Sequence, residues 1–148
     1  MNLFKKSALT LVGLVLSGTA LADPVGLWKT FDLNNPSIAT SLVKVTFENG
    51  AYVGRLQKVI RAGATSNVCL KEACKGAYAG KDMSGAPVIW GFKSAGGNQY
   101  SGGVAYDLQN DKKYSATITD AGNRLILKAG YKVMGSVVGK STTWVRVN

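Results

Sequence analysis

Hydrophobic and polar residues alternate along most of the chain after residue 22, and turn-forming residues recur every 8 to 14 positions. A period of two is typical of β-strands with one buried side, and no segment shows the 3.6-residue apolar period of an amphipathic helix. The pattern therefore predicts an all-β fold of eight strands. These strands are predicted at residues 25–32, 38–48, 51–61, 87–94, 99–108, 112–119, 124–132 and 137–147.

Short turn sequences connect the predicted strands. Asn49-Gly50 lies between Phe47 and Tyr52 and is a typical two-residue hairpin sequence, because both central positions of a type I′ turn need a positive φ. Strands two and three are therefore predicted to be antiparallel neighbours, and similar turn residues separate the later strands. Only closure removes both exposed edges of such a meander, so we predict a single antiparallel up-and-down barrel.

Residues 62–86 interrupt this rhythm with a 25-residue segment that lacks apolar periodicity and contains four glycines. Both cysteines of the chain, Cys69 and Cys74, lie within it. In an oxidising compartment we expect them to form a disulfide that braces this loop between strands three and four. Redox catalysis and metal binding are alternatives, but the Cys-x-x-Cys spacing and further ligands are lacking. No metal site and no cofactor are predicted.

Alternation along the strands also predicts which side chains point into the barrel. Lys58 shares the inward phase of strand three, and in strand eight Val145 and Val147 compete with Trp144 and Arg146 for the inner side. The predicted inward set is Val43, Val45, Phe47, Tyr52, Gly54, Leu56, Ile60, Val88, Trp90, Phe92, Tyr100, Gly102, Val104, Tyr106, Tyr114, Ala116, Ile118, Leu125, Leu127, Ala129 and Tyr131.

This inward set is rich in tyrosine and in small residues together. Buried tyrosine hydroxyl groups need hydrogen-bond partners, so such a lining suits a small ligand with an apolar body and a few polar groups. The alternative is that the rings fill the barrel and bond to one another or to trapped water. If a ligand is held, its predicted contacts are Tyr52, Trp90, Phe92, Tyr100, Tyr106, Tyr114 and Tyr131.

The first 22 residues have the organisation of a secretory signal peptide. Lys5 and Lys6 are followed by an apolar stretch at residues 8–16 and by the small-residue cleavage sequence Ala20-Leu21-Ala22. A membrane anchor is the alternative, but nine apolar residues fall well short of the roughly 20 that span a bilayer. We therefore predict an exported periplasmic protein with one domain, residues 23–148, that begins at Asp23 after cleavage.

Composition narrows the functions that such a barrel can have. The chain contains no histidine, which excludes Ser-His-Asp and Cys-His catalysis. Asp32 and Asp107 are the carboxylates nearest to strand ends, and neither has an acid-base partner in sequence, so no enzyme activity is predicted. Residues 23–148 keep a formal net charge of +8. That charge favours an anionic membrane surface as an alternative partner, whereas no nucleic-acid recognition motif occurs.

Two short motifs, one in the first predicted strand and one in the last, are similar to those of known protein families. Gly26-Leu27-Trp28 opens the first strand and Trp144-Val145-Arg146 lies in the last. This arrangement resembles the lipocalins, and the resemblance implies that Trp28 closes one barrel end beneath Arg146. The order of motifs across residues 23–147 also looks like an exported bacterial family catalogued as a domain of unknown function with a lipocalin-like barrel. That likeness implies a fold and a compartment, but no ligand.

Overall fold

A computed structural model describes residues 23–147, and the predicted signal peptide lies outside these described residues. The described part of the chain forms eight β-strands, each within two residues of its predicted bounds. They are β1 (Gly26–Phe31), β2 (Ala39–Glu48), β3 (Ala51–Val59), β4 (Pro87–Gly96), β5 (Gln99–Asp107), β6 (Lys112–Asp120), β7 (Arg124–Val133) and β8 (Ser136–Val147).

The strands form one closed antiparallel barrel in chain order, as predicted. β1 and β8 complete the closure, but they pair over three residues of β1, Leu27 to Lys29, whereas β7 and β8 pair over ten. One end of the barrel, here called the closed end, carries residues 23–25 and the turns at 49–50, 97–98 and 121–123. The open end carries the connections at 32–38, 60–86, 108–111 and 134–135.

Alternation predicts the inward side chains of β6 and β7 correctly, and the structure decides between the two alternatives left open for β8. In β6, β7 and β8, cross-strand pairing aligns Ile118 with Leu127 and Leu125 with Trp144 on the inner side, and all four are buried. Trp144 therefore faces inward, which settles the ambiguity in strand eight. A regular ladder without a bulge keeps the period of two intact over these strands.

In β4 and β5 the predicted inward set is partly wrong. Gly91 has φ 80° and Gly102 has φ 76°, a backbone conformation that disrupts regular alternation and shifts the side chains beyond it to the opposite side. Ile89 and Ala105 consequently face the interior with Phe92 and Tyr100. The predicted inward positions of Trp90, Gly102 and Val104 are incorrect.

Near the strand ends, further inward assignments fail. In β2, Val43 and Val45 are buried as predicted, but Phe47 is 58% exposed at the closed end, where it packs edge-on against Tyr52. Beyond Leu56, β3 contains an irregularity and ends at Val59. Ile60 therefore falls outside the strand and Lys58 is exposed to solvent, because the regular ladder no longer fixes their direction.

Two groups of buried side chains stabilise the fold. The larger lies inside the barrel and includes Trp28, Phe92 and Ile118. The smaller lies where residues 60–86 fold against β3 and β5, and it contains the predicted disulfide between Cys69 and Cys74, with Cα atoms 5.9 Å apart. The long connection thus has its own buried apolar contacts and is not a loose loop.

Candidate functional site

Arg146 closes the barrel together with Trp28. The guanidinium carbon lies 4.3 Å from the centroid of the Trp28 ring, within the range of a cation-π interaction. Its Nη1 and Nη2 donate hydrogen bonds to the carbonyl oxygens of Val25 and Asp23, both at 2.8 Å, and Nε donates to Gly122 at 3.1 Å. One side chain therefore ties the start of the described chain to the last turn of the closed end.

Gly26 is required at this position for two reasons. Its φ of 147° is rarely adopted by residues with a side chain, and a Cβ atom would lie 2.5 Å from Nη1 of Arg146. The indole nitrogen of Trp28 donates to the Pro24 carbonyl at 2.8 Å, so the ring is fixed from both sides. The structure thus places Gly26, Trp28 and Arg146 together, and their contacts are structural.

A cavity of about 730 Å³ occupies the open half of the barrel. Its deeper wall is apolar and is formed by side chains that point inward from β2, β4, β7 and β8. These are Val43, Ile89, Leu127 and Trp144. Phe92, Ile118 and Leu125 are fully buried below it and do not line it. The barrel is therefore filled at its closed half and hollow at its open half, which combines both alternatives considered from the sequence.

The aromatic residues predicted to contact a ligand fall into three groups. Tyr114 and Tyr131 line the cavity from the inner sides of β6 and β7, whereas Tyr106, predicted to point inward, borders the mouth from the outer side of β5, opposite Lys113. Tyr52, Phe92 and Tyr100 belong to the packed half, where Tyr52 and Tyr100 meet edge-on at 5.1 Å. Trp90 lies on the outer side of β4, where it contacts Tyr106 and Lys113. Burial raises the pKa of both Tyr52 and Tyr100, consistent with positions inside the packed half.

Polar groups are concentrated at the mouth of the cavity. Arg61 forms a 3.0 Å ion pair with Asp32 across the open end. The Tyr106 hydroxyl donates to a carboxylate oxygen of Asp111, and this hydrogen bond raises the pKa of Tyr106 to about 12. Lys140 also lines the cavity, and it has no acidic partner within 4.0 Å among the described residues. A ligand in this cavity would therefore meet apolar walls below and hydrogen-bonding groups above.

Several cavity residues were missed by sequence reasoning. Ile89 and Ala105 were missed because the glycine bulges invert the alternation of β4 and β5. Trp144, Thr142 and Lys140 were missed because strand eight has apolar residues in both phases. The inward register of β7 was the available signal, since β8 pairs with it residue by residue.

The two carboxylates considered for catalysis stabilise turns instead. Asp32 Oδ1 accepts hydrogen bonds from the backbone amides of Asn34 and Asn35, and the hydrogen bond with Arg61 helps to lower the pKa of Asp32. Asp107 accepts from the amides of the following turn. Both carboxylates therefore hold the connections at the mouth in place.

Asp120 is the one buried carboxylate at the closed end of the described barrel. It is 1% exposed, and its Oδ1 accepts a hydrogen bond from Gly122 at 2.9 Å. Within residues 23–147, Oδ2 has no partner. It lies away from the cavity, so it adds nothing to the ligand site.

Residues 23–147 do not gather three or more cysteine or acidic side chains in an arrangement that would hold a metal ion. Within the same range, no helix has both the length and the apolar character that a membrane span requires. A second cavity, of about 300 Å³, lies beneath residues 60–86, between the disulfide and Val59.

A closed eight-stranded antiparallel barrel, with a stacked arginine-tryptophan pair at one end and a cavity at the other, defines a lipocalin-like protein. The chain belongs to the family described as "Uncharacterized protein conserved in bacteria (DUF2147)", whose sequence profile matches residues 26–146. No curated protein matches the chain.

Among solved structures, the barrel is similar to that of protein HP1028 from Helicobacter pylori, described as belonging to the lipocalin family. The TM-score is 0.69 at 19% sequence identity, and the match covers 86% of this chain and 84% of the other. At this level of identity the likeness supports the fold alone. It confirms the lipocalin-like architecture that the terminal motifs implied.

Proposed function

We propose that this protein is a periplasmic carrier that holds one small, largely apolar molecule inside its barrel. The observation that carries the proposal is the cavity of about 730 Å³ in the open half. Its volume lies within the range of roughly 300 to 1,000 Å³ that is usual for small-molecule sites. A barrel built only for stability would instead fill its open half with side chains, as the closed half does.

The lining suggests how such a ligand lies. Val43, Ile89 and Leu127 offer apolar contact to the body of the ligand in the deeper part of the cavity. Tyr114 and Lys140 at the upper wall offer hydrogen-bond donors to a polar group. We therefore propose that the apolar end enters first and that the polar end remains at the mouth.

A binding role agrees better with this lining than a catalytic one does. The carboxylates at the mouth, Asp32 and Asp107, are committed to hydrogen bonds within their own turns. Acid-base catalysis needs positioned groups that are free to exchange protons with a substrate. We therefore propose binding without chemical change.

The proposal also includes export of the protein to the periplasm. Cleavage after Ala22 would leave Asp23 as the first residue, and the Asp23 carbonyl accepts a hydrogen bond from Arg146. The barrel closure therefore uses the residue at which the mature chain would begin. Recovery of the protein from the periplasmic fraction, with Asp23 at its N-terminus, would support this part of the proposal, whereas recovery from the cytoplasm would contradict it.

Binding can be tested with N-phenyl-1-naphthylamine, a neutral apolar dye that fluoresces in apolar surroundings. We expect saturable binding of one dye per chain. Ala129→Phe places a ring in the cavity and should weaken binding about tenfold or more, because the ring occupies space in which the dye would otherwise bury its apolar surface. Ala105→Leu fills the cavity from β5 and serves as a second variant, with folding of each checked by circular dichroism.

Thr143→Phe is the matched control, because Thr143 is exposed on the outer side of β8. It adds the same ring outside the barrel and should leave dye affinity unchanged. Equal affinity in all four proteins would place the dye outside the cavity and would overturn the proposal. If the cavity variants weaken dye binding as expected, mass spectrometry of protein purified under native conditions can identify the molecule that the cavity carries from the cell.

A further inference from the structure

The tip of the β7–β8 hairpin exposes apolar side chains beside the mouth of the cavity. Met134 is 99% exposed, and Val133 and Val138 are each more than half exposed. Tyr131, on the inner side of the same hairpin, is 69% exposed. Single exposed apolar residues are common on protein surfaces, but a group of neighbouring ones at one hairpin tip indicates an interaction surface.

Methionine is an unusual residue for the backbone conformation at this tip. Met134 has φ 52° and Gly135 has φ 84°, which match the values of 51° and 84° at Asn49 and Gly50 in the β2–β3 turn. Asn is favoured at the first of these positions because it adopts a positive φ at a lower energetic cost than Met does. The β7–β8 turn therefore holds an exposed apolar side chain where folding alone favours a polar one.

The charge of the hairpin indicates the partner. Residues 121–148 contain no aspartate or glutamate. Five basic residues fall in this range: Arg124, Lys128, Lys132, Lys140 and Arg146. Lys132 lies next to the exposed tip, opposite Val137, and it forms no ion pair within the described part of the chain. An apolar tip flanked by an uncompensated lysine, in a hairpin without acidic residues, complements the surface of an anionic lipid bilayer, where apolar side chains enter the interface and lysines meet the headgroups.

We propose that the β7–β8 hairpin docks the protein on an anionic lipid bilayer, with Met134 and Val133 inserted between headgroups and Lys132 in contact with them. This goes beyond ligand binding, because it assigns a surface and its partner. The cavity mouth lies at the same end of the barrel, so docking turns the mouth toward the bilayer. A molecule with an apolar body then has a short path between cavity and lipid.

Cosedimentation of residues 23–148 with vesicles provides the test. Vesicles with about one third phosphatidylglycerol in phosphatidylcholine are compared with vesicles of phosphatidylcholine alone. We expect binding to the anionic vesicles. Met134→Asn should weaken it about fivefold through lost apolar burial, and Lys132→Gln about fivefold through one lost charge at the surface. Met134→Asn should also raise the melting temperature, since the turn becomes Asn-Gly.

Opposite effects of Met134→Asn on stability and on vesicle binding separate docking from damage to the fold. Phe47→Ser removes an exposed ring at the closed end, and Lys44→Gln removes a lysine from the outer side of β2, so both controls should bind like the wild type. Unchanged binding of Met134→Asn, or equal binding to neutral vesicles, would overturn the proposal. So would dimers that dissociate on Met134→Asn while vesicle binding persists, since a second copy would then cover the tip.

Discussion

At the scale of single residues, Arg146 combines contacts that no other cationic side chain would reproduce. Its planar guanidinium stacks on Trp28 while three of its nitrogens donate to carbonyl oxygens of three different residues. A lysine carries the same charge on a single nitrogen and lacks the planar face. The position therefore depends on shape and on donor geometry as much as on charge.

We expect Arg146→Lys to lower the free energy of unfolding by about 2 kcal/mol, through lost stacking and at least one lost hydrogen bond. Urea denaturation followed by tryptophan fluorescence measures this change. Arg124→Lys is the matched control, because Arg124 is exposed on β7, and it should change stability by less than about 0.5 kcal/mol. Equal stability of the two variants would refute the importance of the stacked geometry.

Tyr106 gives a pH-dependent prediction at the same scale. Its hydrogen bond to Asp111 raises the pKa of Tyr106 from its usual value of 10.0 to about 12. The protonated hydroxyl is thus favoured in the folded state, so its contribution is present in full below pH 10 and is lost as the pH rises toward 12. The stability difference between wild type and Tyr106→Phe should shrink over that interval, as measured by urea denaturation. A difference that stays constant from pH 9 to 12 would argue against the hydrogen bond.

At the scale of elements, the existence of the strands and their order could be read from the sequence. Which side chains of β4 and β5 face the barrel interior could not. Alternation and turn residues are local properties, and they located every strand within two residues. The bulges at Gly91 and Gly102 depend on the backbone between neighbouring strands, and a glycine within a strand does not reveal its φ. Trp90 was therefore assigned to the wrong side, while Tyr114 and Tyr131 in the regular strands were placed correctly.

The disulfide-braced segment is the element that the turn pattern could not describe. Cys69 and Cys74 close a short loop within residues 60–86, beside the buried Met83 and Leu108. We expect the double variant Cys69→Ala/Cys74→Ala to lower the free energy of unfolding by about 2 kcal/mol, because the disulfide closes a small loop and so restricts the unfolded chain. Hydrogen exchange should accelerate across residues 60–86 and remain slow in β6 and β7. Uniform acceleration throughout the barrel would show that the disulfide supports the whole fold.

At the scale of the whole molecule, the proposed function rests on the unequal filling of the two barrel halves. The sequence identified a barrel with an aromatic interior, and the resemblance to lipocalins supplied its closed end. Cavity volume could not be derived in this way, because it depends on how side chains from eight strands meet across the interior. Phe92 and Tyr100 illustrate this, because their residue types resemble those that line the cavity, yet both belong to the closed half, which side chains fill.

The short pairing between β1 and β8 has a consequence for the size of molecule that the barrel accepts. Toward the open end, β8 stays paired with β7, whereas its pairing with β1 ends at Val145, opposite Lys29. This part of β8 is therefore hydrogen-bonded to a neighbouring strand along one edge and is unpaired along the other. We therefore expect that a guest somewhat larger than the cavity displaces this part of β8 outward without breaking the ladder between β7 and β8.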